Sequence, residues 1–351
     1  MPAASYAPLD DALEIMAAYG PDLANGLTSH APMAAEALCA LGRADAVIPW
    51  VERYRRGMLP RPPAHARIAP ERWREALAQE HRFADWSAFF EEELRDGPWR
   101  AVLARWVGRL APGICASATH GVIRVGHAAR SLGESESPRR VRELADALAS
   151  WASTYQELPG NGGTAARRTG SLDAIKAVAV VPAELRRFAG TITSSLDALG
   201  DFPAFGPVID LLDVGGDTQT VVTELTDTFA RVYLANAHDV LTVIVFIHGV
   251  TSIAALGNLL PYLDDAGRRA ALRFAWQSSC ALYATFGDRP TPEASVDPPD
   301  EDAERLIDRA VAHGDEHAIK FTEACLGQHA RRPSPAYLAA ARHALAVLPR
   351  A

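Results

Sequence analysis

The residues with the greatest capacity for chemistry in this chain are its 11 histidines. Histidine exchanges protons near neutral pH, and its neutral imidazole is a common ligand of transition metals. The informative ones lie in four segments that are rich in small and apolar residues. They are His30, His120, His127, His238, His248, His313 and His317.

Two groups of polar residues have spacings that place them on one face of a helix. His120, Arg124 and His127 are spaced i, i+4 and i+7. His317 and Lys320 are spaced i and i+3. Since residues three, four and seven apart are neighbours on a helix surface, each group predicts a set of side chains that can act together.

One histidine falls in the most apolar stretch of the chain. His248 lies within VLTVIVFIHGVTSIAAL and should be buried. Because an unpaired polar group in a core costs about 1–3 kcal/mol, a buried histidine needs a hydrogen-bond partner or a metal. Taken singly, each histidine is best explained as a core residue bonded to a backbone carbonyl. Four helices that each supply a histidine instead suggest a metal held between helices of a bundle.

Lys320 is the unusual member of these groups, because the segment AIKFTEACL around it is largely apolar. It either extends its charge out of an amphipathic helix or is buried. Burial disfavours the ammonium form, and a neutral amine can react with carbon dioxide to give a carbamate. We find no Asp or Glu on the same face, so a carbamate would supply the anionic oxygen ligand there.

The elements that position these side chains are predicted to be helices. Apolar residues recur at steps of three and four, as in amphipathic helices, and two helices are predicted over residues 71–94. Strict alternation is scarce, and the best strand-like run is the short 175–181. We therefore predict an all-α fold, a single large multi-helix domain over residues 1–351 with a metal site between helices. An acidic, proline-rich connector is expected at about 288–304.

Composition excludes some partners and cofactors. A formal net charge of −8 argues against general nucleic-acid binding, which needs a basic surface. The apolar segment 240–260 is interrupted by polar residues, and we expect a buried core helix rather than a membrane span. No GxGxxG motif follows a strand, so a bound NADPH has no supporting motif. We expect a cytoplasmic protein without membrane or nucleic-acid partners.

Four phrases of the sequence together resemble the questin oxidase-like proteins. In order they are SHAPMAAEALCALGR, THGVIRVGHAARSL, FIHGVTSIAALGNLLPYL and DEHAIKFTEACL. They are spread from about residue 21 to 330, so the resemblance covers nearly the whole chain. The family includes fungal enzymes of anthraquinone-derived polyketide pathways and many bacterial relatives.

The resemblance implies a largely helical fold and a set of iron ligands. Fungal members open anthraquinone rings oxidatively, by Baeyer–Villiger-type oxygenation or, in one branch, by iron-dependent dioxygenation. That branch is similar in holding non-haem iron with four histidines and a carboxylated lysine. Carried over by motif, the ligands here would be His30, His120, His248, His317 and Lys320, with His313 as an alternative fourth histidine.

Arg124 and His127, one and two turns after His120, are candidate catalytic residues that would steer a phenolate or carry a proton. The alternative is an ordinary ion pair or hydrogen bond on the helix face. Fungal members look more like LGYG where this chain has VGHA, so the substrate side of the site departs from the family pattern.

The expected function is a non-haem Fe(II)-dependent oxygenase acting on an aromatic or quinol substrate with dioxygen. Its substrate would be polyketide-like, and carbon dioxide would be bound as the lysine carbamate. Two other classes stay open, namely a helical small-molecule-binding protein without catalysis and a metal-dependent hydrolase. The absence of a clear HxH motif favours one metal and oxygenase chemistry over a two-metal hydrolase.

Overall fold

Helices dominate the structure, a computed structural model that describes residues 3–160, 168–188, 190–288 and 301–351. The predicted all-α class is confirmed, and the buried hydrophobic side chains form one core cluster. The expected connector at about 288–304 lies mostly outside the described residues. The α-helices are α1 (Leu9–Met16), α2 (Ala31–Ala40), α3 (Ala44–Tyr54), α4 (Phe83–Asp96), α5 (Trp99–Leu110), α6 (His120–Glu134), α7 (Pro138–Ser153), α8 (Ser171–Ala174), α9 (Ile192–Leu196), α10 (Thr218–Asn236), α11 (Val240–Gly257), α12 (Asp265–Phe286), α13 (Ala303–His313), α14 (Glu316–Arg331) and α15 (Pro335–Val347).

The strands of the described residues are not where alternation was strongest. β1 (Tyr19–Leu23) and β2 (Met58–Pro60) form a two-stranded antiparallel sheet. The strand-like run 175–181 instead begins with a 3-10 helix, Ile175–Ala177, and continues as extended chain. Its last residue donates its N–H to the carbonyl of Ala284, 2.7 Å away, so this backbone is satisfied by α12 rather than by a sheet.

The prediction of two helices over residues 71–94 is wrong for its first half. α4 accounts for the second half, but the first half contains the irregular 3-10 helix Pro70–Ala76. Ala78 has a left-handed backbone, with φ of 58°, and donates its N–H to the carbonyl of Ala152 in α7. This tertiary hydrogen bond replaces the one that a continuing helix would have made.

Four helices surround the histidine-bearing centre in a closed arrangement. α2 packs on α6, α6 on α11, α11 on α14, and α14 on α2. Each of these helices carries one of the predicted histidine ligands in its sequence or at its N-terminal boundary. The arrangement therefore brings segments that are far apart in the chain to one common interior.

α11 is the most apolar of these helices and is packed in the core. Asp239 caps its N-terminus in a capping box with Thr242, each side chain accepting from the other's backbone N–H. The segment Val240–Tyr262 is long and apolar enough to cross a membrane, with a mean hydropathy of 2.1, and it is alone in this among the described helices. It is 67% buried inside the protein and packs on α6, α10, α12 and α14, as a core helix does.

Two glycines let α6 approach its neighbours closely. A Cβ at Gly126 would lie 2.4 Å from the carbonyl oxygen of Ala255 in α11. A Cβ at Gly121 would lie 2.6 Å from the ring of Trp151 in α7. Real Cβ atoms do not come so near a backbone oxygen, so the α6–α11 spacing depends on the missing side chain at Gly126.

Replacing Gly126 by Ala should force α6 away from α11. We expect a loss of about 2 kcal/mol in the free energy of unfolding, as for other overpacked cores. The matched control is Gly108→Ala in α5, where an added Cβ meets nothing within 4 Å. That change should stabilise by about 0.5–1 kcal/mol through helix propensity. Urea denaturation measures both, and equal stability of the two variants would contradict the packing argument.

Candidate metal centre

The four predicted histidine ligands meet in the interior formed by α2, α6, α11 and α14. The ring centroid of His30 lies 4.5 Å from that of His120 and 4.6 Å from that of His317. The ring of His248 lies 4.8 Å from His120 and 6.0 Å from His317. The four imidazoles thus form a closed cycle of neighbouring rings.

The alternative fourth histidine does not share this cycle. His313 ends α13, and its Nε2 is hydrogen-bonded to the carbonyl of Leu348, 3.1 Å away. Gly314 follows in a left-handed conformation, with φ of 81°, which ends the helix before α14 begins. The chain therefore turns between the two histidines, and His317 is the one that contacts the other rings.

Backbone carbonyls fix the orientation of two of the rings. The Nδ1 of His120 is hydrogen-bonded to the carbonyl of Ser117, and the Nδ1 of His248 to the carbonyl of Ile244 at 2.6 Å. A carbonyl can only accept, so each Nδ1 carries the hydrogen and each Nε2 presents a lone pair. These two Nε2 atoms face each other 3.3 Å apart. Two lone pairs at this distance need a proton or a cation between them.

A shared proton is disfavoured because the rings are buried. Burial, with the positive charge of Lys320 as the next cause, lowers the pKa of His120 to about 3. Burial likewise holds the pKa of His30 and of His248 well below the ordinary value, and the neighbouring imidazoles add to the effect. These three rings are therefore neutral near pH 7, which is the form that ligates a metal. The donor set fits a transition-metal cation.

The other two rings have unsatisfied nitrogens. The Nδ1 atoms of His30 and His317 are buried and have no hydrogen-bond partner. A carboxylate oxygen of Glu316 lies 3.8 Å from the first and 4.0 Å from the second, and an oxygen of Asp315 lies 3.6 Å from the second. The prediction from the sequence that no Asp or Glu lies on the same helix face as Lys320 is therefore wrong. Glu316 precedes Lys320 by four residues, and this i, i+4 spacing in the sequence was the signal for it.

Lys320 is buried beside this centre, with only 2% of its surface exposed. Burial lowers its pKa to about 8, although Glu316 and Asp315 act in the opposite direction. Its charge in turn opposes protonation of His30, His120 and His248. The lysine thus lies close to the rings in a setting where the neutral amine is accessible near physiological pH.

Backbone strain immediately precedes one of the rings. Ser117, Ala118 and Thr119 all have left-handed backbones, with φ of 48°, 53° and 72°. Each such residue other than glycine costs roughly 1–2 kcal/mol, and a β-branched Thr is especially unfavourable there. The turn places the Ser117 carbonyl against the ring of His120. Strain of this kind persists where the surrounding structure holds it, often at functional sites.

The two candidate catalytic residues are engaged in buried polar pairs. Arg124 donates to Glu143 of α7 through Nε at 2.7 Å and through Nη2 at 2.9 Å. His127 donates from Nδ1 to Glu36 of α2 at 2.5 Å. Arg124 therefore faces a carboxylate rather than the four rings. His127 lines a small cavity that Lys320 also borders.

A buried charge network that sequence reasoning missed connects three of the four surrounding helices. Glu36 of α2 accepts from Arg130 of α6 at 2.6 and 2.8 Å and from Tyr6 at 2.7 Å. Arg130 also donates to Glu323 of α14 at 2.5 Å. An acid within the Ala-rich segment MAAEALCAL was the available signal. Because buried charges persist only when paired, Arg130 fixes α2 and α14 relative to α6.

The network makes stability depend on pH. Burial alone would raise the pKa of Glu36, but Arg130 and the hydrogen bond from His127 lower it to about 2. A carboxyl whose pKa falls on folding stabilises the protein above about pH 4.5, and this contribution is lost as the pH falls towards 2. We expect Glu36→Gln to lose about 3 kcal/mol at pH 6. The deficit should shrink between pH 5 and 3.

Chemical denaturation at a series of pH values measures this deficit. The matched control is Glu14→Gln, because Glu14 is largely exposed and pairs with the surface residue Arg139. The control should change stability by no more than about 0.5 kcal/mol at any pH. A pH-independent deficit for Glu36→Gln would argue against the ionised, paired carboxylate.

Comparison with known proteins agrees with the motifs. The family model described as questin oxidase-like matches residues 30–325, which is well over half of the chain and contains all of the predicted ligands from His30 to Lys320. No curated protein matches the chain. The match and the helical fold together show that the chain belongs to the questin oxidase-like family of oxidoreductases.

Proposed function

We propose that this chain is a non-haem iron-dependent oxygenase acting on an aromatic or quinol substrate. The observation that carries the proposal is the pair of inward-facing Nε2 atoms of His120 and His248, 3.3 Å apart in a buried site. A scaffold whose histidines only satisfied core hydrogen bonds would not leave two lone pairs facing each other. A cation between them removes this conflict.

The residues that would hold the iron are His30, His120, His248, His317 and Lys320. Each histidine belongs to a different helix or its boundary, so a bound ion would also connect the four surrounding helices. Bound Fe(II) would supply the one-electron chemistry that dioxygen needs to react with a closed-shell aromatic molecule. The two backbone carbonyls that fix His120 and His248 keep their Nε2 atoms available for it.

The anionic ligand is proposed to be a carbamate on Lys320. Its nitrogen would attack carbon dioxide, an N–C bond would form as one C=O π bond breaks, and the nitrogen would release a proton to water. The burial of Lys320 and the cavity that it borders support this assignment, since the amine is both desolvated and reachable. The cavity has a volume of about 40 Å³. That is room for only a few water molecules, so it admits small reactants and not an aromatic ring.

The chain's own residues would manage protons and exclude water. His127 donates from Nδ1 to Glu36, which would leave its Nε2 available to relay a proton within the small cavity that it lines. Arg124, paired with Glu143, would act through the position of α6 rather than by touching the substrate. The burial of α11 supports a core helix rather than a membrane span, and the proposed location is the cytoplasm. NADPH would be needed only through a partner reductase.

Metal and oxygen measurements test the iron site. The purified protein should contain about one iron per chain and consume dioxygen with a hydroquinone only when iron is bound. His248→Ala should lower iron content and oxygen uptake at least tenfold, in line with losses at other metal sites. His238→Ala is the control, because His238 is 40% exposed and outside the ring cycle. A wild-type protein without stoichiometric iron or iron-dependent oxygen uptake would refute the proposal.

Carbon-13 NMR and chemical rescue test the carbamate. Protein equilibrated with ¹³C-bicarbonate should show one protected carbamate resonance, which Lys320→Ala should abolish together with most of the iron. Acetate or formate should restore part of the iron binding to Lys320→Ala, because a small carboxylate can occupy the space of the missing anion. Lys176→Ala, a surface lysine change, should leave the resonance intact. A lysine variant with unchanged iron affinity would exclude the carbamate as a ligand.

A further inference from the structure

Glu316 occupies a position between two buried ring nitrogens that have no partner. Its carboxylate oxygen lies 3.8 Å from the Nδ1 of His30 and 4.0 Å from the Nδ1 of His317. Hydrogen bonds of this type are about 2.7–3.2 Å long, so a movement of about 1 Å would form either one. The glutamate side chain is 19% exposed and therefore has freedom to make that movement.

The start of α14 holds this glutamate in place. Asp315 caps the helix by accepting from the backbone N–H groups of His317 and Ala318, both at 2.9 Å. Glu316 is the first residue of the helix, where the helix dipole favours a negative charge. On the other side, the backbone N–H of His30 donates to the hydroxyl of Tyr54 at 3.1 Å. Both imidazoles that face Glu316 thus begin from anchored backbones.

The four rings divide into two pairs by what their Nδ1 atoms face. His120 and His248 have backbone carbonyls there, His30 has the carboxylate of Glu316, and His317 has those of Asp315 at 3.6 Å and of Glu316 at 4.0 Å. A single cation can receive four Nε2 lone pairs only if all four Nδ1 atoms carry the hydrogen. The Glu316 carboxylate lies beside His30 and His317, the two rings whose Nδ1 atoms have no backbone acceptor.

We propose that Glu316 is a positioning residue that accepts the Nδ1 hydrogen of His30, shares that of His317 with Asp315, and so helps to turn both Nε2 atoms towards the common centre. The purpose of this role rests on the proposed metal site. Glu316, His30 and His317 also offer ligand atoms within 4.8 Å of one another, so direct coordination by the carboxylate is the competing arrangement. In that arrangement the two Nδ1 atoms would bind the cation and the tautomers would be reversed.

Nitrogen-15 NMR of the metal-free, full-length protein tests the tautomers without any activity measurement. In the wild type, all four ring histidines should show the Nδ1–H tautomer. Glu316→Ala should mix the tautomers of His30, change those of His317 less because Asp315 remains 3.6 Å from its Nδ1, and leave those of His120 and His248 unchanged. Glu316→Gln should preserve them in part, since an amide oxygen still accepts. Glu304→Gln is the control, because Glu304 is an exposed acid of α13 that pairs with Arg43.

Cobalt binding provides the second measurement. Competition with a chelator should show a 10–100-fold weaker affinity for Co²⁺ in Glu316→Ala and a smaller loss in Glu316→Gln, with the same visible spectrum as the wild type. Unchanged tautomers in Glu316→Ala, or Nε2–H tautomers of His30 and His317 in the wild type, would overturn the inference. A change of the cobalt spectrum to a lower coordination number in both variants would also overturn it, in favour of direct ligation.

The failures of the two proposals can be told apart. If Glu316→Ala alters the tautomers but the wild type binds no iron, the positioning role stands and the iron-dependent function falls. If Glu316→Ala keeps both wild-type tautomers and wild-type iron affinity, the function stands and the positioning role falls. Circular dichroism establishes that each variant is folded before either result is interpreted.

Discussion

The structure depends on four imidazoles that meet in one interior, three of which burial keeps neutral because it lowers their pKa values. Two of them point lone pairs at each other across 3.3 Å, an arrangement that is unfavourable without a positive charge between them. Burial prevents a proton from supplying that charge, since the pKa of each of these rings is lowered. The fold therefore creates an electrostatic requirement at its centre, and the family's oxidoreductase character is consistent with a metal that meets it.

Two different kinds of contact, close packing and buried ion pairs, hold the helices around this centre. Between α6 and α11 the contact is close packing, made possible by the bare backbone of Gly126. Between α2, α6 and α14 it is electrostatic, through Glu36, Arg130 and Glu323. Each histidine consequently sits on a helix whose position is fixed by residues other than the histidine itself. Such independent support is what a precise donor arrangement needs.

Much of the site could be predicted from the sequence because its signals are local. The i, i+4, i+7 spacing of His120, Arg124 and His127 correctly indicated one helix, and Gly314 correctly indicated the break before His317. Whether a polar residue faces the four imidazoles or a carboxylate on another helix is not local information. Arg124 was a candidate for steering substrate or for an ordinary ion pair, and the partner in that pair, Glu143, is supplied by another helix and could not be inferred from spacing. Glu316 was missed although its spacing from Lys320 was visible.

The three left-handed residues before His120 have a consequence for the stability of the whole protein. The sequence Ser-Ala-Thr does not predict such a turn, because residues with a left-handed backbone are usually glycines. The strain of roughly 1–2 kcal/mol per residue is a noticeable part of the 5–15 kcal/mol by which proteins are usually folded. The turn therefore lowers the stability of the folded protein while it positions the ring of His120. If a related chain did not need to position this imidazole, we would expect glycine at these three positions. Such a chain would be more stable to heat but would lack the positioned ring.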